Sequence, residues 1–381
     1  MAMRRALQIG ARAGVPPAMI ADHARFIGFV LGIILACIIG WLLVIGKGLL
    51  LPIVAAVIAV YVLTTAADAM GRVPVLRLLP LVVRRLLVLV IFALAIAMLG
   101  LVIAVTVDQM LAAAPTYRGN LEAMSAQLAA MAGIDKEPTW EDIRAATLDK
   151  LDLRSLTSSF LGSLTNLGGS VFLVVVYAAF LMAERGKFAA KLMAAFPRGD
   201  QAERTEALII DINRRIGDYL AVKTLINVIL GVVSYAILWF MGVDFALFWA
   251  VFIALFNYIP YVGSLIGVMF PVVLSLAQVG SLGFTLALAA LLAGAQAYVG
   301  NFLEPRLIGR QLNLSPFVVL VALSLWSTLW GLPGAILAIP MTSMLAIILA
   351  AFPDTRFIAV LLAERVEDAP AEPVPPQSGV V

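Results

Sequence analysis

A carboxylate, two amides and a few helix breakers punctuate what are otherwise uncharged apolar runs, Phe245 to Leu303 and Gln311 to Pro353. Glu304 ends the first run, between Asn301 and Pro305. A carboxylate partly withdrawn from water has a raised pKa, so Glu304 could take up and release a proton or hold a cation. The plainer alternative is a pairing with Arg306 or Arg310 that fixes a turn. Asn257 and Pro260 break the first run near its start, where freed backbone carbonyls could coordinate a cation or a polar solute. Their plainer alternative is a turn that needs a proline and an amide cap. Gly263, Gly331 and Gly334 read as packing or hinge positions. Asn227 and Gln296 lie inside apolar segments and suit interhelical hydrogen bonds. Asp68, Glu184 and Asp244 fall at segment ends and read as interfacial. No acid falls at the middle of an apolar segment, which favours a neutral polar solute over proton exchange.

Catalytic constellations are missing from the sequence. The single histidine, His23, precedes the first apolar segment, so neither a Ser-His nor a Cys-His pair can form around a credible base. There is no phosphate-binding glycine loop, no paired metal-binding histidine and no cysteine cluster. No cofactor or metal is therefore expected, and neither enzyme chemistry nor ATP-driven pumping by this chain alone. The one cysteine, Cys37, cannot form an intramolecular disulfide and reads as a packing residue.

The elements that must position these residues are membrane helices. The hydrophobic fraction is 63% and the charged fraction 13%, against about 25% charged in average soluble domains. Mean hydropathy is +1.05. The apolar stretches are continuous rather than alternating, which excludes a β-barrel. The chain reads as an all-α, polytopic helical membrane protein with about eight membrane segments, some of them re-entrant hairpins, plus a small extracytoplasmic helical region. Spans are expected over roughly 26–45, 49–66, 86–107, 167–183, 222–241 and 282–299. The basic residues lie between spans and form no aromatic-interleaved patch, so no nucleic acid is expected as a partner.

Charge orders the topology. Arg4, Arg5, Arg12 and Arg25 precede the first span, Arg72 to Arg85 follow the second, and Lys and Arg are dense over 184–221. These belong in the cytoplasm, and the more acidic 108–165 segment belongs outside. Within that outside segment, Pro138-Thr139-Trp140-Glu141-Asp142 suits a helix start. Inside, Leu208, Ile212, Ile216, Tyr219 and Leu220 make an apolar stripe opposite Asp211, Arg214 and Asp218, which suits a helix on the bundle or on the membrane surface. The stretches 245–276 and 316–351, broken at Pro260 and at Gly331-Leu332-Pro333-Gly334, have arms of about 15 residues. Each is either two short spans or a re-entrant hairpin, and arms short against the ~20 a full crossing needs favour hairpins.

Particular residues carry a family resemblance. Phe256-Asn257-Tyr258-Ile259-Pro260-Tyr261-Val262-Gly263 resembles the first signature of the autoinducer-2 exporter family of bacterial permeases. Phe302-Leu303-Glu304-Pro305-Arg306 with Gly309, then Leu314-Ser315-Pro316, resembles the second. Leu325-Trp326, Gly331, Gly334 and Ile339-Pro340-Met341-Thr342 resemble the third. The resemblance implies a permease of the bacterial inner membrane that works as a homo-oligomer, a pentamer being one form. It also implies either export of the quorum-sensing furanone autoinducer-2 or exchange of sodium or lithium for protons.

The expected organisation is a cytoplasmic tail (1–25), three spans (26–107), an extracytoplasmic helical segment (108–165) and two spans with an amphipathic cytoplasmic segment (166–241). A broken-hairpin transport region (242–353) and a disordered cytoplasmic tail (354–381) complete it. The expected function is secondary transport or export of a small polar solute, along a path through Asn257, Pro260, Gly263, Asn301, Glu304, Pro305, Gly309, Gly331, Gly334 and Pro340. The rivals are a cation/proton antiporter that uses Glu304 and a non-transporting scaffold whose outside segment binds partners.

Overall fold

The computed structural model describes residues 17–131, 169–184, 200–308, 313–352 and 355–365. Helices and turns account for these residues, with no strand among them. The chain forms two compact units, Met1–Leu51 and Pro52–Val381. The first holds α1 (Pro17–Ile45), whose side chains from Ile27 onward are largely exposed and apolar. Cys37 is exposed on that helix. An apolar helix needs no protein neighbour when lipid can cover it.

In the second unit, α2 (Lys47–Met70) places Ala56, Val60, Leu63 and Ala67 on one face. They pack with Val88 of α3 (Leu81–Met131) and with Ala178 and Met182 of α4 (Gly169–Glu184). Small residues at 56, 67 and 178 let the backbones approach, as association in lipid favours. The third span continues as helix well past its apolar window, which covers Leu81–Ala113. At 1.5 Å per residue, α3 is about 76 Å long, so its final turns project beyond a bilayer. The helix start expected at Thr139 lies outside the described residues, as do Gly309 and the tail from 366.

Next, α5 (Asp200–Phe240) is one continuous helix, not a surface helix followed by a separate span. The expected stripe is seen where side chains are described: Ile216, Tyr219 and Leu220 are buried, while Arg214 and Asp218 are exposed. Its second half forms the main core with α6 (Ala246–Phe256) and α8 (Leu282–Tyr298). Ile226, Leu230 and Leu238 meet Trp249, Ala250, Ile253, Leu288 and Leu292 there. Six helices among the described residues are long and apolar enough to cross a membrane, and three shorter apolar helices accompany them.

Both broken runs fold back on themselves. α6 is about 16 Å long, half of a ~30 Å hydrocarbon core, and returns as α7 (Val262–Val279). Pro260 brings no N–H to its turn, and Tyr261 takes a left-handed φ of 60°. A Cβ at Gly263 would overlap the Phe256 carbonyl oxygen, so only glycine lets α7 start this close to the end of α6. The two ends of the hairpin meet: Gln278 Nε2 donates to Gly242 O (2.9 Å), and Asp244 N donates to Gln278 Oε1 (2.9 Å).

The second run is α10 (Pro316–Ala350), a helix that reverses at Gly331 with φ 67° and ψ −146°, a region open only to glycine. Across its arms Trp326 Nε1 donates to Thr342 Oγ1 at 3.0 Å. A Cβ at Gly334 would overlap the Trp326 carbonyl oxygen. The hairpin's base is tied to α11 (Arg356–Leu362), where Ser315 N donates to Leu362 O at 3.0 Å.

Candidate solute site at the hairpin tip

The tip of the α6–α7 hairpin carries polar groups into an apolar core, and α5 supplies their partners. Thr224 and Asn227 are three residues apart and share a face of α5. Asn257 Nδ2 donates to Asn227 Oδ1 at 2.8 Å, and Gln296 Nε2 of α8 donates to Asn257 Oδ1 at 2.7 Å. Beside them the Tyr258 and Thr224 hydroxyls are 2.7 Å apart. Asn227 and Asn257 are only 3% and 7% exposed.

The amide chain is incomplete at both ends. Gln296 Oε1, an acceptor, is buried without a partner, and Asn227 Nδ2, a donor, makes no well-formed hydrogen bond although the Tyr258 hydroxyl lies nearby. A buried polar group left unpaired costs about 1–3 kcal/mol, so each end favours a ligand or water that can complete it. The arrangement offers hydrogen bonds and no net charge, which suits a neutral polar solute.

One turn away along α5 lies a charged layer. Lys223 Nζ contacts Glu304 Oε1 at 2.6 Å, and the lysine side chain is only 4% exposed against 30% for the glutamate. Glu304 therefore pairs with Lys223 rather than with Arg306, which is exposed; Arg310 lies outside the described residues. The pair forms because α8 ends in a π-helical turn, Val299–Leu303, before α9 (Glu304–Ile308). That turn inserts extra backbone into the helix and re-aims the side chains of α9.

The predicted path residues separate into groups. Asn257 joins the amide chain and Glu304 the ion pair, on neighbouring turns of α5. Pro260 and Gly263 build the turn that holds Asn257. Asn301 and Pro305 are exposed around the π-turn. Gly331, Gly334 and Pro340 belong to the second hairpin, where Gly331 makes the reversal and Gly334 the close approach. Lys223, Thr224 and Tyr258 are polar members of this region that sequence reasoning did not single out. A lysine at the start of an apolar span, four residues before an asparagine, was the available signal.

Residues 29–354 match the family described as AI-2E family transporter. The chain belongs to that family. It is accordingly a multi-pass membrane transporter, in keeping with its apolar helices. It is similar to the AI-2 transport protein TqsA of Escherichia coli K12, 29% identical over 320 residues, 83% of this chain and 90% of that protein. A putative transport protein of Borreliella burgdorferi is 36% identical over 185 residues, 48% of this chain and 51% of that protein, so the alignment spans about half of each. Escherichia coli YhhT, also a putative transport protein, is 32% identical over 217 residues, 56% of this chain and 60% of that protein. The hairpin tip, the π-turn and the second hairpin of this AI-2E transporter all lie inside the matched range.

Proposed function

We propose that this AI-2E transporter exports a small neutral polar solute across the bacterial inner membrane, binding it at the tip of the α6–α7 hairpin. The observation that carries the reading is the amide chain Asn227–Asn257–Gln296, buried and unfilled at both ends. A solute hydroxyl can accept from Asn227 Nδ2 while another donates to Gln296 Oε1. Autoinducer-2 is the solute to try first, since TqsA is named for its transport. The basic segments and the parity of crossings favour cytoplasmic termini; the hairpin then enters from outside, with its tip toward the cytoplasmic half of the membrane. Alternating exposure then requires contacts at the tip to loosen on one side at a time, with Lys223–Glu304 closing the cytoplasmic side. The copy number of the working assembly is proposed, from the family resemblance, to exceed one.

The antiport reading needs Glu304 to exchange a proton for a cation. The Lys223 ammonium already occupies that carboxylate, which supports a closing contact over a cation site. The deciding experiment loads proteoliposomes with autoinducer-2 and follows its release from wild type, Asn257→Ala and Gln296→Ala. A tenfold or larger loss in both variants, with unchanged folding, is expected. Release at the wild-type rate in both would remove the hairpin tip from the path. A sodium-dependent proton flux that Glu304→Gln abolishes would favour antiport instead.

A further inference from the structure

A second polar site lies between α2 and α5, away from the hairpin tip. Tyr61, Thr64, Thr65 and Asp68 fall at helical spacing on one face of α2, inside a span that is otherwise apolar. Facing them on α5 are Asn213, Gly217 and Asp218. Two apolar spans would normally close such a contact with small apolar side chains. Here they line an open cleft of about 320 Å³, at the lower end of the ~300–1,000 Å³ of small-molecule sites, with Asp68, Arg214 and Asp218 exposed at its rim. Tyr61 OH donates to Asn213 Oδ1 at 2.7 Å, bridging the two helices. Gly217 stands beside the Tyr61 ring, where a Cβ would make an ordinary contact 3.7 Å from its Cδ1.

The face of α5 that lines the cleft runs on toward the hairpin tip. Gly217, Ala221 and Thr224 stand at i, i+4 and i+7, so they stack along that face. Thr224 is the residue whose hydroxyl meets Tyr258 at the tip.

We infer that the α2–α5 cleft is a loading site for a small polyhydroxylated solute, from which the solute passes along α5 to the hairpin tip. The second half of this inference rests on the proposed transport. The chemistry of the lining selects the class. Two carboxylates, Asp68 and Asp218, disfavour an anion. The Arg214 guanidinium on the same lining disfavours a bare cation. Carboxylates that accept from neighbouring hydroxyls, with the Asn213 amide to donate back, match a neutral polyol.

The test is site-directed thiol protection in the full chain, purified in lipid nanodiscs with Cys37→Ser. Thr65→Cys reports on the cleft, and Leu78→Cys, 86% exposed, reports on the open surface. Each is labelled with a hydrophilic maleimide alone and with saturating glycerol, D-ribose, myo-inositol or potassium chloride. At least one polyol should slow labelling of Thr65→Cys threefold or more, leave Leu78→Cys unchanged, and lose its effect when Asp68→Asn and Asp218→Asn are added. Equal rates with every polyol, equal protection by potassium chloride, or protection that survives loss of both carboxylates overturns the site. Failure of the transport reading is visible separately. Protection that persists while Asn257→Ala leaves solute release unchanged upholds the cleft and removes its connection to the tip.

Discussion

In the α6–α7 hairpin, the turn residues Asn257 and Tyr258 reach outward and bond to α5, with Gln296 of α8 completing the contact. In α10 the turn at Gly331 is exposed, and the cross-arm bond from Trp326 to Thr342 stays inside the hairpin. Both turns rely on a glycine that meets the carbonyl of the preceding arm, Gly263 against Phe256 and Gly334 against Trp326. The shared device is geometric and the difference is chemical. One tip bonds to amides of α5 and α8 that each keep an unfilled group, while the other is bonded across its own arms and packs on α5. Tight reversal alone therefore does not mark a solute site. The distinguishing mark is a polar tip whose partners lie on other helices.

The largest expected effect tests the device that the hairpins share. Gly263→Val and Gly334→Val each force a side chain into a backbone carbonyl, at a cost on the order of 3 kcal/mol. Both variants should lose thermal stability in detergent by several degrees or fail to accumulate. A well-folded Gly263→Val protein with full transport would show that the tight approach is dispensable at the functional tip.

Smaller and more selective is the ion pair on α5. Glu304→Gln leaves the nearly buried Lys223 without its counter-charge, and should destabilise by on the order of 2 kcal/mol, since Glu304 is partly exposed. Adding Lys223→Met should recover most of the melting temperature. If the double variant also regains solute release with normal control, the pair is structural. If it is stable but leaks solute or is inactive, the pair controls the site beside the polar tip.

The smallest effect concerns the base of the first hairpin. Tyr117, on the projecting part of α3, donates to Asp244 Oδ2 at 2.8 Å. Nearby, Asn120 Nδ2 donates to the carbonyls of Ala277 (3.1 Å) and Gln278 (2.5 Å). Burial first, and then the Asp244 carboxylate, push the Tyr117 phenol above its ordinary value. A raised folded-state pKa contributes stability that is whole below the unfolded value of about 10 and is lost as pH rises beyond it. Tyr117→Phe should therefore flatten the loss of melting temperature above about pH 10 and change it little at pH 7. An identical alkaline profile in the variant would exclude this contact.

Much of the fold was legible because a bilayer leaves few choices. Long uncharged runs must be helices, since lipid satisfies no backbone group. The short arms around Pro260 and Gly331 already argued for hairpins, and the apolar helices fall close to the segments read from hydropathy. Asn257 and Glu304 were legible as the polar exceptions. Their partners were not. The sequence offered Arg306 and Arg310 as counter-charges for Glu304 because they are near along the chain, but the π-turn turns the carboxylate toward Lys223, 81 residues away. Asn227 and Gln296 were legible as hydrogen-bonding residues, whereas their meeting at a single asparagine depends on how three helices pack.

By itself, then, the sequence determined the class of the molecule, the approximate spans, the two reversals and the lack of catalytic groups. Hydrophobicity and helix-breaking act locally, so they can be read from neighbouring residues. Only the tertiary structure decided which polar groups complete one another, which stay unfilled, and that α5 carries the amide chain, the ion pair and the lining of a second cleft. Hydrogen bonds and ion pairs between helices depend on distance and direction to within an ångström, and no local pattern in a chain encodes those.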